Sequence, residues 1–146
     1  MRNRENYSYP VTIERDGDFF VLSFRDIPEA LAQVDASDEW RIEEEAREAL
    51  AIAISYYFKN NEKIPSASAP RKGELVASLP LSLVSKIILR NTMIKNGVRP
   101  ADLARRLDIP TSEVARIINP KCKTKIDTMA AAVSASGGSM LLSATI

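Results

Sequence analysis

The chain contains no histidine and a single cysteine, Cys122. Without histidine, the commonest general base and the commonest metal ligand are both missing. Ser-His-Asp and Cys-His catalysis are excluded, and one cysteine cannot complete a usual zinc site. No metal and no cofactor is expected. A lone cysteine makes no intrachain disulfide, which suits a reducing compartment. No apolar run approaches the roughly 18 residues of a membrane span. The opening Met1-Arg-Asn-Arg-Glu-Asn has no apolar stretch behind its charges, unlike a secretory signal. These absences point to a cytoplasmic protein.

What is present can build a core. Of 146 residues, 45% are hydrophobic and 27% charged, enough for one ordinary domain or two small ones. The net charge of +1 conceals an asymmetry. Residues 1–80 hold 10 Lys and Arg against 15 Asp and Glu, net −5, and residues 81–146 hold 10 against 4, net +6. Halves of opposite sign suggest modules with different partners. A basic half neutralises phosphates, whereas an acidic half suits a basic protein and repels nucleic acid.

Residues 9–14 alternate as a strand does, and Asp16-Gly17-Asp18 is a hairpin turn signal leading into the aromatic strand 19–24. A short strand is expected over 31–34. Ser37 or Asp38 can cap the next helix, whose first turns are acidic. There Ile42, Ala46, Ala49, Leu50, Ala53, Ile54, Tyr57 and Phe58 recur at helical spacing. A loop over 64–70 and a strand over 74–79 complete a β-β-β-α-β order.

Beyond Pro80 the pattern is helical. Ser82 can cap a helix with Val84, Ile87, Ile88, Met93 and Ile94 on its apolar face, closed by Asn96-Gly97. Short helices follow over 100–107, 111–118 and 126–136, with a basic loop at 121–125. Residues 139–145 read as a terminal strand, which needs a partner and is expected to find one in a second copy.

The sharpest signal lies in residues 98–118. Leu103, Ala104 and Leu107 form one face of a helix, and Val114, Ile117 and Ile118 one face of the next, with Ile109 in the turn. Leu103-Ala104, Asp108-Ile109-Pro110 and Val114 resemble the Cro/repressor helix-turn-helix family, with Asp108 replacing the usual glycine and Pro110 the usual capping serine. The resemblance implies that Thr111, Ser112 and Arg116 meet base edges in the major groove. It places Arg99, Arg105, Lys121, Lys123 and Lys125 on phosphates. Glu113 either accepts from cytosine or faces away.

In the first half, Tyr9-Pro-Val-Thr-Ile, Gly17, Phe24-Arg-Asp-Ile-Pro-Glu-Ala, the Glu-Ala-rich helix into Tyr57-Phe58, and Asn61-Glu-Lys-Ile-Pro65 resemble the HicB antitoxins. Thr124-Lys-Ile-Asp127 resembles the helix-turn-helix variant of that family. The likeness covers residues 8–146 and leaves 1–7 as an extension. It implies an N-terminal partial RNase H-like fold without nuclease activity, over 8–79. That fold would block a HicA toxin, a small basic ribonuclease. It also implies a DNA-binding and dimerising module over 81–146 that represses the operon encoding both proteins. Pro28-Glu29 stands where the family often has Pro-Gly.

An acidic surface suits a cationic ribonuclease face. Asp26, Glu29, Asp35, Asp38, Glu39, Glu43 and Glu44 are candidates, with Phe24, Trp40 and Tyr57 as aromatic anchors. Phe24 and Tyr57 also fit core positions. The expected toxin contacts are Phe24, Asp26, Glu29, Asp35 and Trp40. Two rivals are a metal nuclease using Asp16, Asp18 and Asp26, and a ligand-responsive repressor without a toxin partner. Asp16 and Asp18 flank a turn glycine, where local hydrogen bonding accounts for them, so no enzyme is expected.

Overall fold

The computed structural model describes residues 4–146 as an α+β chain divided into two compact units between Leu79 and Pro80. The first unit begins with β1 (Ser8–Asp16), whose Tyr9, Val11 and Ile13 alternate with Ser8, Pro10, Thr12 and Glu14. A turn at Gly17, whose φ of 60° favours glycine, leads to the antiparallel β2 (Phe19–Ser23). β3 (Leu31–Asp35) pairs with β2, and β4 (Leu75–Ser78) pairs with β1, giving the order β3-β2-β1-β4. β4 ladders only to residues 8–11 of β1 and β2 only to residues 12–16. Pro10, which has no N–H to donate, therefore sits where the ladder has a single partner.

Between β3 and α1 (Ile42–Lys59) lies a six-residue 3₁₀ helix, Ala36–Arg41. Its cap is Asp35, whose carboxylate accepts from the Ser37 amide and hydroxyl, and not Ser37 or Asp38 as the sequence suggested. Asp38 has non-helical angles (φ −114°, ψ 37°), so the regular helix starts at Ile42. α1 buries Ile42, Ala46, Leu50, Ala53, Ile54, Tyr57 and Phe58, the expected stripe except for Ala49, which is half-buried, and its acidic first turn and Lys59 near its end complement the helix dipole. Beneath it lie Tyr9, Val11, Leu22, Phe24, Ile27 and Val34. Each such side chain contributes about 1.5–3 kcal/mol when fully buried.

Residues 60–74 carry no regular structure yet are tied down. The Tyr9 hydroxyl donates to the Pro65 carbonyl (2.7 Å) and the Ala67 amide to the Asn6 carbonyl (2.6 Å). Burial holds the Tyr9 hydroxyl well above the usual phenol range. Tyr7 is buried as well, so residues 6 and 7 belong to the unit instead of preceding it as an extension. Residues 1–3 of that expected extension lie outside the described residues.

The second unit has four helices: α2 (Leu81–Asn96), α3 (Pro100–Leu107), α4 (Thr111–Ile118) and α5 (Ile126–Ala135). Leu89, Met93, Val98, Leu103, Ala104, Val114, Ile117, Met129, Ala132 and Val133 form its core. On α2 the buried positions are Ser85, Lys86, Ile87, Leu89, Asn91 and Met93, while Val84, Ile88 and Ile94 are only half-buried. The stripe is thus rotated from the one read in the sequence, and Pro80, not Ser82, occupies the cap position. Residues 139–146 form no strand. A strand is held by ladder hydrogen bonds, and β-propensity alone does not make one.

Candidate partner and nucleic-acid surfaces

α3 and α4 meet through a three-residue turn. Asp108 closes α3 in the left-handed conformation (φ 54°, ψ 48°), the role glycine usually fills. The Ile109 amide donates to the Ala104 carbonyl, and the Pro110 carbonyl accepts from Glu113 and Val114 to start α4. Leu103, Ala104, Val114 and Ile117 are buried between the helices. Thr111, Ser112 and Arg116 are left exposed on α4. Glu113 borders a shallow groove with Ile109, Ile117, Asp127 and Thr128, so it faces the α5 side.

Of the five cations expected on phosphates, two are already partnered. Arg105 pairs with Asp102 through its guanidinium, and Arg99 lies 3.6 Å from the same carboxylate. The Asp102 carboxyl is held below the usual range, first by the Arg99 amide and then by Arg105. Lys121, Lys123 and Lys125 are exposed on the loop after α4. Asn119 shapes that loop, its side chain accepting from the Lys121 amide (2.9 Å) and its carbonyl from the Cys122 amide (3.1 Å).

A residue that sequence reasoning missed anchors this region. Lys86 on α2 is 2% exposed, and its Nζ donates to the carbonyls of Ile117 (2.6 Å) and Arg116 (3.2 Å) and to Thr124 Oγ1 (2.7 Å). The available signal was a cation three and seven residues before the apolar Leu89 and Met93. Burial pushes its pKa down from the ordinary lysine value.

In the first unit the expected contacts separate. Phe24 is 2% exposed and belongs to the core, a correction to its expected surface role: it continues the inward parity of Phe20 and Leu22. Asp26 accepts from the Ser68 amide and hydroxyl, both 3.0 Å, so its carboxylate secures the loop. Arg25 joins the same latch, donating to Ser68, the Ala69 carbonyl and Glu74. Glu29, itself exposed, accepts from the Tyr57 hydroxyl (2.7 Å), and Tyr57 is buried. With burial, that bond raises the Tyr57 pKa to about 12. Asp35 is exposed but engaged as a cap, and Trp40 is 78% exposed. Asp16 and Asp18 stay at the hairpin turn while Asp26 faces Ser68. Among the described residues no three His, Cys, Asp or Glu side chains gather as a metal-holding group, and no helix is long and apolar enough to cross a membrane.

A family model described as the HicB_like antitoxin of bacterial toxin-antitoxin systems matches residues 6–88. The chain belongs to the HicB antitoxin family. Antitoxin HicB 1 of Photorhabdus laumondii is 40% identical over 141 residues, covering 95% of this chain and 88% of the relative. Antitoxin HicB of Escherichia coli K12 is 38% identical over 136 residues, covering 92% and 96%. The Pseudomonas fluorescens Antitoxin HicB is 30% identical over 144 residues, covering 98% and 97%. The family match in this HicB chain spans the first unit and runs into α2, and the similarity to these relatives continues through the second unit.

Proposed function

We propose that this HicB protein neutralises a HicA-type ribonuclease toxin with its first unit, residues 8–79, a partial RNase H-like fold. With its second, residues 81–146, it represses its own operon as a helix-turn-helix DNA-binding module. The observation that carries this reading is that the charge changes sign where the chain changes unit, from net −5 to net +6. A surface that must receive RNA is positive, so an acidic unit competes for it, whereas operator DNA requires the opposite sign. The action is one of occlusion and repression, and no catalytic group is invoked.

Trp40, Asp35 and Glu29 remain as toxin contacts because they are exposed, while Phe24 and Asp26 act inside the unit. α4 reads bases through Thr111, Ser112 and Arg116, and Lys121, Lys123 and Lys125 bind phosphates. Arg99 and Arg105 assist with the donors that Asp102 leaves free. The exposed apolar residues Leu141, Leu142 and Ile146 supply a strand to a second copy, producing the two-fold dimer that palindromic half-sites require.

The test uses the full chain with a HicA-type toxin and its operator. Trp40→Ala should weaken toxin binding and leave operator binding intact. Replacing Lys121, Lys123 and Lys125 together by Gln should do the reverse. If each variant lost both activities while folded, the division of labour would be rejected. Removal of residues 139–146 should convert a dimer to a monomer in light scattering.

A further inference from the structure

α1 covers one face of the sheet, and the strand registers define the other. Across β1, β2 and β3 that second face carries three rows: Asp16, Phe19 and Asp35; Glu14, Val21 and Gln33; Thr12, Ser23 and Leu31. Directly opposed side chains on one face of an antiparallel sheet lie about 4.5–5.5 Å apart at Cβ. Phe19 therefore stands between two carboxylates, and Val21 stands beside a third. Leu31 is 66% exposed and Phe19 41%. No position in these rows is Lys or Arg. Arg15 belongs to the opposite face, where its guanidinium lies 5.2 Å from the Phe20 ring centroid. The Ser37 amide and hydroxyl hold the Asp35 carboxyl below its usual range, so that charge persists in mild acid.

The patch is rimmed by carboxylates, and the neighbouring cation, Arg25, is already paired with Glu74, so the patch selects its partner by charge. DNA is repelled by it. A second copy meeting it across a two-fold axis would bring carboxylates against carboxylates. A cationic protein face fits: its Lys or Arg heads pair with Glu14, Asp16 and Asp35 while their apolar stems cover Phe19, Val21 and Leu31. We infer that this open sheet face is the docking surface for the cationic protein the antitoxin holds. The inference rests on the toxin-binding reading above and moves its centre from Trp40 and Glu29 to the sheet face that Asp35 borders.

The experiment measures calorimetric affinity of the full chain for a HicA-type toxin, with thermal melts of every variant. Leu31→Lys places a cation where the partner's own cations arrive, and should weaken binding by about tenfold or more with an unchanged melting temperature, because Leu31 is exposed. Glu14→Lys should slow association and flatten its salt dependence, while Leu31→Met should bind as the parent chain does. Affinities within twofold of the parent for folded Leu31→Lys and Glu14→Lys would overturn the assignment while leaving the toxin-binding reading in place. A changed oligomeric state with unchanged toxin affinity would overturn it too, naming a second copy as the occupant. Failure of the parent chain to bind any HicA-type toxin would remove the functional reading itself, and this surface with it.

Discussion

The ammonium of Lys86 is a cap for α4 supplied from another helix, 2.6 Å from the carbonyl oxygen of Ile117. The last carbonyls of a helix have no partners within it and carry the negative end of its dipole, so a cation there is favourable. The same ammonium reaches Thr124, at the edge of the basic loop. One side chain thus fixes both the end of the proposed base-reading helix and the approach to the lysines proposed to bind phosphates.

Lys86→Met keeps the apolar stem and removes all three donors. Stability should fall by about 1–3 kcal/mol, the cost of leaving buried acceptors unsatisfied. Urea denaturation measures this. In fluorescence anisotropy the ratio of operator to random-duplex affinity should drop more than random-duplex affinity itself. An unaltered ratio in a folded variant would show that the contact stabilises the unit without positioning α4.

Asp102 sets a pH dependence. Its folded pKa lies below the unfolded value because the Arg99 amide and then Arg105 stabilise the carboxylate. Its stabilising contribution is therefore complete above the usual aspartate range and is lost as pH falls through the folded value. Asp102→Asn should lower the urea midpoint at neutral pH and leave it unchanged in strong acid, where the parent carboxyl is also protonated. Equal midpoint shifts at both ends would contradict this.

Asp26→Ala should behave as a loop mutation. It leaves the Ser68 amide and hydroxyl without their acceptor and weakens the latch over residues 60–74, at a cost of about 1–3 kcal/mol. Limited proteolysis should cut that loop faster. Loss of toxin binding without any loss of stability would instead return Asp26 to the interface.

Much of this arrangement was legible in the sequence because it is periodic. Alternation marked β1 and β2, the Ile42-to-Phe58 spacing marked α1, and the paired faces around Leu103 and Val114 marked α3 and α4. Two features were not local enough to read, and a third was read two ways. The acceptors of Lys86 are supplied from 30 and more residues away, so its burial has no sequence neighbour to announce it. Phe24, one residue past β2, fitted both a core position and a toxin contact in the sequence, and its burial alongside Leu22 decides for the core. The terminal segment has strand composition without a ladder partner among the described residues. The 3₁₀ helix escaped notice because Asp35, Ser37 and Asp38 are all good caps, and the choice among them depends on where β3 ends.

Arg116 and Lys123 should separate two kinds of DNA contact. Arg116→Ala should cost about 1–3 kcal/mol on the operator and little on random duplex, as expected when a base-edge contact is lost. Lys123→Ala should weaken both about equally and reduce the slope of log affinity against log salt by about one. Electrophoretic or anisotropy titrations at several salt concentrations measure both effects. Equal losses on the two duplexes for Arg116→Ala would place that side chain on the backbone.

Burial also gives Lys86 a chemistry different from that of its fellow lysines. Amine-directed reagents and acetylating enzymes meet Lys121, Lys123 and Lys125 at once, but reach this amine only when the end of α4 lifts away. Its labelling rate is therefore a built-in clock for that opening, readable by mass spectrometry in the intact chain.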